Sequence, residues 1–152
     1  MTIHFTNHPI NKNMKNTIVN VLVMDDVVMV RERIVSILAD ISSIGPIVQT
    51  GDTQSAVDLI AQYQPKVIIL DIQVPGTNEL RNGIDVLKWA RKHYPSLWVI
   101  MLSNFDSPRY REACTQAGAV HFFDKSREFE QLPKAVRNLL ADVLDPDVIS
   151  NP

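Results

Sequence analysis

A single cysteine, Cys114, excludes any disulfide within the chain. No Cys/His group has metal-ligand spacing, which sets aside zinc-finger-type folds. A reducing, cytoplasmic setting is therefore the expectation. Neither sign of charge is in excess: 15 Lys and Arg against 17 Asp and Glu leave a formal charge of −2. No nucleic-acid-binding surface is expected from such a balance. No apolar run is long enough to span a membrane. The opening MTIHFTNHPINKNMKN lacks the unbroken apolar stretch of a signal peptide. Also missing are a Gly-rich phosphate loop after the first apolar run, a G-x-S-x-G elbow and a Cys/His pair. Nucleotide sites and the common hydrolase sites lose their support with them.

What is present is a chain of 152 residues, 45 % apolar and 21 % charged, enough for one domain with one sizeable core. Five times, a short apolar run is followed by a helical pattern. The runs are Ile18–Met24, Pro46–Gln49, Lys66–Leu70, Leu97–Leu102 and Ala119–Phe123. Near-continuous apolarity marks strands covered on both faces, as in a parallel sheet. Between them, Val27, Val30, Ile34, Ile37 and Ile41 form one helical stripe, and Ala56, Ile60 and Tyr63 a second. Ile84, Leu87 and Tyr94 predict a third helix that ends before Pro95. In the fourth, Ser107 caps the start, Pro108 takes the first turn and Gly118 follows the end, with Tyr110, Ala113, Cys114 and Ala117 inward. Leu132, Val136, Leu139 and Val143 line the fifth. Five βα units imply a doubly wound parallel sheet with helices on both faces. The expected organisation is a flexible leader over 1–16, a domain over 17–144 and a frayed tail over 145–152, with Ile3, Phe5 and Ile10 of the leader able to pack on the domain.

Such sheets bind ligands beyond the carboxyl ends of their strands. Polar residues interrupt the apolar pattern there: Asp25-Asp26 after the first run, Asp71 after the third, Ser103 after the fourth and Lys125 after the fifth. Singly, each has an ordinary explanation as a cap, a loop residue, a turn or a solvated side chain. Together at one sheet edge they are harder to dismiss. Neighbouring strands lie ~4.8 Å apart, so Asp25, Asp26 and Asp71 would crowd three carboxylates together. A divalent cation or a raised pKa resolves such crowding, and an open all-oxygen site suits Mg²⁺. A carboxylate beside a cation can attack a phosphoryl group, with Ser103 and Lys125 contacting its oxygens.

The pair Asp25-Asp26, the D-I-Q-V-P-G from Asp71, Ser103 and the G-A-x-x-F-F-x-K ending at Lys125 resemble the signature of response-regulator receiver domains. The resemblance spans about Thr17 to Leu144 and implies a flavodoxin-like five-stranded sheet of order 2-1-3-4-5. It implies Asp71 as phosphoacceptor, Asp26 as a metal ligand, Asp25 as a ligand through water, and the Gln73 carbonyl as a further ligand to Mg²⁺. Ser103 and Lys125 would contact the phosphoryl group, and Phe122 matches the family's switch aromatic. A core aromatic is the other reading of Phe122. The implied donor is a sensor histidine kinase or phosphotransfer protein. The implied output surface is the fourth helix, fifth strand and fifth helix, where a second copy could dock. Such a chain accepts a phosphoryl group and is not a turnover enzyme.

FFDKSREFEQL resembles receivers that precede a helix-turn-helix output domain, yet the sequence stops soon after the fifth helix. A stand-alone receiver is slightly favoured over a fragment. Pro75 to Gly83 forms a loop roughly four residues longer than usual, expected as a lip over the site. Val74 stands for a common methionine, Asn104 for a small residue and Ser126 for a proline. A phosphatase acting through an aspartyl-phosphate would want an acid two residues after Asp71, where Gln73 stands. A degenerate receiver used only for interaction is the remaining alternative.

Overall fold

The computed structural model describes residues 2–4, 18–104 and 107–144. Six strands form one sheet: β1 (Thr2–His4), β2 (Val21–Met24), β3 (Ile47–Thr50), β4 (Val67–Leu70), β5 (Trp98–Ser103) and β6 (His121–Asp124). Their spatial order is β1-β3-β2-β4-β5-β6. The five strands β2 to β6 run parallel in the expected 2-1-3-4-5 order. Five helices join them: α1 (Val28–Leu38), α2 (Thr53–Tyr63), α3 (Gly83–His93), α4 (Pro108–Gln116) and α5 (Leu132–Leu144).

Residues 2–4, expected in a flexible leader, instead form β1, an antiparallel edge strand in register Thr2↔Gln49, Ile3↔Val48 and His4↔Ile47. Without it, β3 would present an open row of backbone donors and acceptors, which is reason enough for a short segment to pair there. Phe5, Ile10 and the tail 145–152 lie outside the described residues.

The parallel strands divide their side chains strictly by alternation. Leu22, Met24, Val48, Ile68, Leu70, Val99, Met101 and Phe122 pack beneath α2, α3 and α4. Val21, Val23, Ile47, Val67, Ile69, Ile100, Leu102 and Phe123 pack beneath α1 and α5. That double burial is why the runs read as continuously apolar. Three of the helices start at polar caps: Asp52 accepts from the Ser55 amide, Asn82 from those of Ile84 and Asp85, and Ser107 from that of Tyr110. α4 shows the expected Pro108 start and ends before Gly118, whose φ of 104° suits glycine. Its expected inner face needs one correction, because Ala113 is exposed while Cys114 carries the burial.

Candidate functional site

Register places the site. Met24 pairs with Leu70 across β2 and β4, so Asp25 and Asp71, each one residue further on, leave the sheet side by side. The backbone fixes both. The Asp25 amide donates to Thr50 O at 3.0 Å, and the Asp71 amide to Met24 O at 2.9 Å. Carboxylate oxygens of Asp25, Asp26 and Asp71 lie within 4.8 Å of one another, with Asp25 and Asp71 buried and Asp26 exposed.

Lys125 enters from the far side of the sheet. Its amide donates to Ser103 O at 3.0 Å, which ties the turn after β6 to the end of β5. Its ammonium lies 2.8 Å from Asp71 Oδ2 and also pairs with Asp25 Oδ2. Asp71 Oδ1 accepts from the Ile72 amide at 2.8 Å, and Asp25 Oδ1 from the Val27 amide at 2.9 Å. Burial pushes the Asp71 carboxyl above its ordinary value; the Lys125 hydrogen bond and charge pull it back, and the Asp25 charge adds to the rise. Burial pulls Lys125 down, but its bonds to Asp25 and Asp71 outweigh that and hold it above the usual lysine value.

Of the residues expected at the site, Asp25, Asp71 and Lys125 thus meet directly, with Asp26 alongside. Ser103 is fully buried at the end of β5, paired in register with Asp124. Gln73 is exposed and borders, with Asp26, Pro75, Arg81, Asn82 and Tyr110, a cleft of about 480 Å³. The long loop forms a wall of this cleft. It is fastened to α2 by buried Thr53, whose amide donates to Pro75 O at 3.1 Å and whose hydroxyl donates to Leu80 O at 2.7 Å. Phe122 is 8 % exposed, on β6 facing α4.

Residues 21–137 match the response regulator receiver domain. The chain belongs to that family. It is a receiver of two-component systems, built on the family's fold. The chain is 27 % identical over 127 residues to the transcriptional regulatory protein DegU of Brevibacillus brevis, covering 84 % of this chain and 52 % of that protein. Identity to the Fimbriae Z protein of Salmonella typhimurium is 28 % over 122 residues, covering 80 % of this chain and 56 % of the relative. The chain therefore spans little more than half the length of these curated relatives. Among solved structures, the receiver domain of the response regulator NarL from Mycobacterium tuberculosis superposes with a TM-score of 0.70 at 29 % identity, covering 80 % of this chain and 95 % of that one. No helix among the described residues is long and apolar enough to cross a membrane.

Four residues with consequences for the site are not singled out as site residues by the residue pattern. Arg31 of α1 donates from Nη1 to Asp25 O at 2.7 Å. Gly83 abuts the Asp71 carbonyl, and Arg111 pairs with Glu128 over Phe122. Their roles depend on tertiary neighbours; Gly83 alone could have been flagged, as the glycine that ends the long loop.

Proposed function

We propose that Asp71 is the phosphoacceptor of this receiver and takes its phosphoryl group from a phosphohistidine of a sensor kinase or phosphotransfer protein. The observation that carries this reading is the 2.8 Å contact between Lys125 Nζ and Asp71 Oδ2 inside a cluster of three carboxylates. A carboxylate oxygen of Asp71 attacks phosphorus as the P–N bond to the histidine breaks, and the imidazole takes up a proton as it leaves. Lys125 neutralises a phosphoryl oxygen and Ser103, drawn from the end of β5, donates to another.

Three carboxylates against one ammonium leave two negative charges, the complement of one divalent cation. Asp25 Oδ2 is buried and accepts no hydrogen bond of ordinary geometry, facing only a shared lysine, which fits an oxygen made for such an ion. Asp25, Asp26, Asp71 and the Gln73 carbonyl are the residues we assign to Mg²⁺. When bound, it neutralises charge on the incoming phosphoryl group. Phe122 then reports the event: its inward position matches the state in which Ser103 has moved towards the phosphate, and the α4-β6-α5 face offers the altered surface to a partner or a second copy. We read this chain as receiving the signal and not as contacting DNA, since a charge of −2 offers no attraction to a phosphate backbone.

Incubation with Mg²⁺ and acetyl phosphate should add one phosphoryl mass to the intact protein and none to Asp71→Asn. Equal incorporation in both would move the acceptor elsewhere. Failure of the parent to gain mass or bind beryllofluoride would favour an interaction module that needs no phosphorylation.

A further inference from the structure

The switch aromatic is not held by packing alone. Arg111, on the inner side of α4, places its guanidinium carbon 4.9 Å from the centre of the Phe122 ring. The same side chain donates from Nη1 to Phe122 O at 3.1 Å and pairs through Nη2 with Glu128. Glu128 follows β6; its Oε1 accepts from the Asp124 amide at 3.1 Å, and its own amide donates to Asp124 O at 2.8 Å. One planar cation thus joins the ring, the strand carrying it and the turn that delivers Lys125. The pair is half-sheltered, with the two side chains 36 % and 26 % exposed, so solvent screens it only in part. A guanidinium over an aromatic face is attractive, and more so as water is excluded.

We propose that Arg111 is a positioning residue of the switch: paired with Glu128, it holds the Phe122 ring in the buried position before any phosphoryl group arrives. Arg111 contacts both the ring and the backbone of residue 122, so rotation of Phe122 outward breaks the ring contact while Arg111 stays anchored to the strand and to Glu128. The pair therefore sets how much of the inward state exists at rest. An inward state populated in advance lowers the free energy that phosphorylation must supply, and by linkage raises the affinity of the site for a phosphoryl mimic. The inference rests on Phe122 being the switch, but its first readout does not need phosphorylation.

A fluorine label on the Phe122 ring, read by relaxation from a dissolved gadolinium chelate, measures ring exposure in the unliganded protein. The label should be shielded in the parent and more exposed in Glu128→Gln, which leaves the guanidinium in place but uncouples it. Arg111→Lys, which keeps the charge and loses the fork, should fall between. Apparent affinity for beryllofluoride with Mg²⁺ should drop roughly fivefold in Glu128→Gln. A ring equally shielded in parent and Glu128→Gln, whatever the change in melting temperature, overturns the proposal and leaves the pair as a brace. A parent that binds no beryllofluoride sinks the phosphoacceptor reading instead, while the fluorine measurement still decides the part of Arg111.

Discussion

A β-carbon added to Gly83 would lie 1.8 Å from the carbonyl oxygen of Asp71. The Gly83 amide donates to Ile72 O at 2.8 Å, so the start of α3 is pressed directly against the backbone that holds the acidic cluster. Among described glycines the positive φ angles belong to Gly45 and Gly118, so the need for glycine at 83 comes from close approach and not from torsion. Gly83→Ala should cost about 2–3 kcal/mol by forcing the backbone apart and should slow acetyl phosphate labelling. Gly45→Ala, where the new carbon meets Asn20 Nδ2 at 3.4 Å and φ is 62°, should cost about 1 kcal/mol and leave labelling unchanged. Chemical denaturation and the labelling rate separate the two.

The raised pKa of Asp71 predicts that its ionisation costs stability. Its folded pKa is raised by burial above the unfolded value near 3.8, so the folded state binds the proton more tightly than the unfolded one. Ionisation at neutral pH therefore works against folding, and the penalty fades as pH falls through the raised value. With divalent cations chelated, Asp71→Asn should melt a few degrees above the parent at neutral pH. The gap should narrow on acidification towards the ordinary carboxylate range. A gap that widens would mean that folding lowers the Asp71 pKa instead of raising it.

Adding Mg²⁺ should reverse that order by stabilising the parent. A ligand at a hundred times its dissociation constant contributes about 2.7 kcal/mol to the state that binds it. The parent's melting temperature should rise with Mg²⁺ and fall back with chelator, while Asp26→Ala and Asp25→Asn respond little. Identical shifts in all three proteins would remove these aspartates from the metal site.

Gln73 and Asn104 are both exposed, one just beyond Asp71 and the other just beyond Ser103. If Asp71 is the phosphoacceptor proposed above, both positions are placed to govern how water reaches its phosphorylated form. Gln73→Ala and Asn104→Ala should change the lifetime of the phosphorylated form several-fold, a shift of about 1 kcal/mol in barrier. Decay at the parental rate in both would show that water arrives by another path.

Cys114 is fully buried, and burial pushes its thiol up to about 11. At pH 8 a disulfide reagent should titrate no thiol in the folded protein and one after denaturation. Rapid labelling of the native form would mean that α4 opens from the sheet.

Much of this was legible in the residues because parallel strands announce themselves. Val67–Leu70 and Trp98–Ser103 are apolar on both faces, so even short runs stood out, and the polar residues ending them fell at one edge. Strand starts were less clear: Ile18 extends the first apolar run yet is 72 % exposed and lies ahead of β2, whose pairing begins at Val21. Thr2–His4 carries no pattern of its own and owes its conformation to the ladder with β3. Arg111 and Glu128 stand 17 residues apart and meet only because α4 packs beside β6. The long loop, expected as a lip, borders the cleft, and what no local pattern shows is that Thr53, remote in sequence, ties it to α2.

The short β1 strand has a practical consequence for anyone handling this protein. It is hydrogen-bonded to β3, and the last carbonyl of β3, that of Thr50, holds the amide of Asp25. An affinity tag or surface anchor attached ahead of Thr2 would load a strand only one neighbour removed from β2, which leads into Asp25 of the acidic cluster. Immobilisation through the opposite end of the chain, beyond α5, leaves that ladder unloaded and is the better choice for kinetic work.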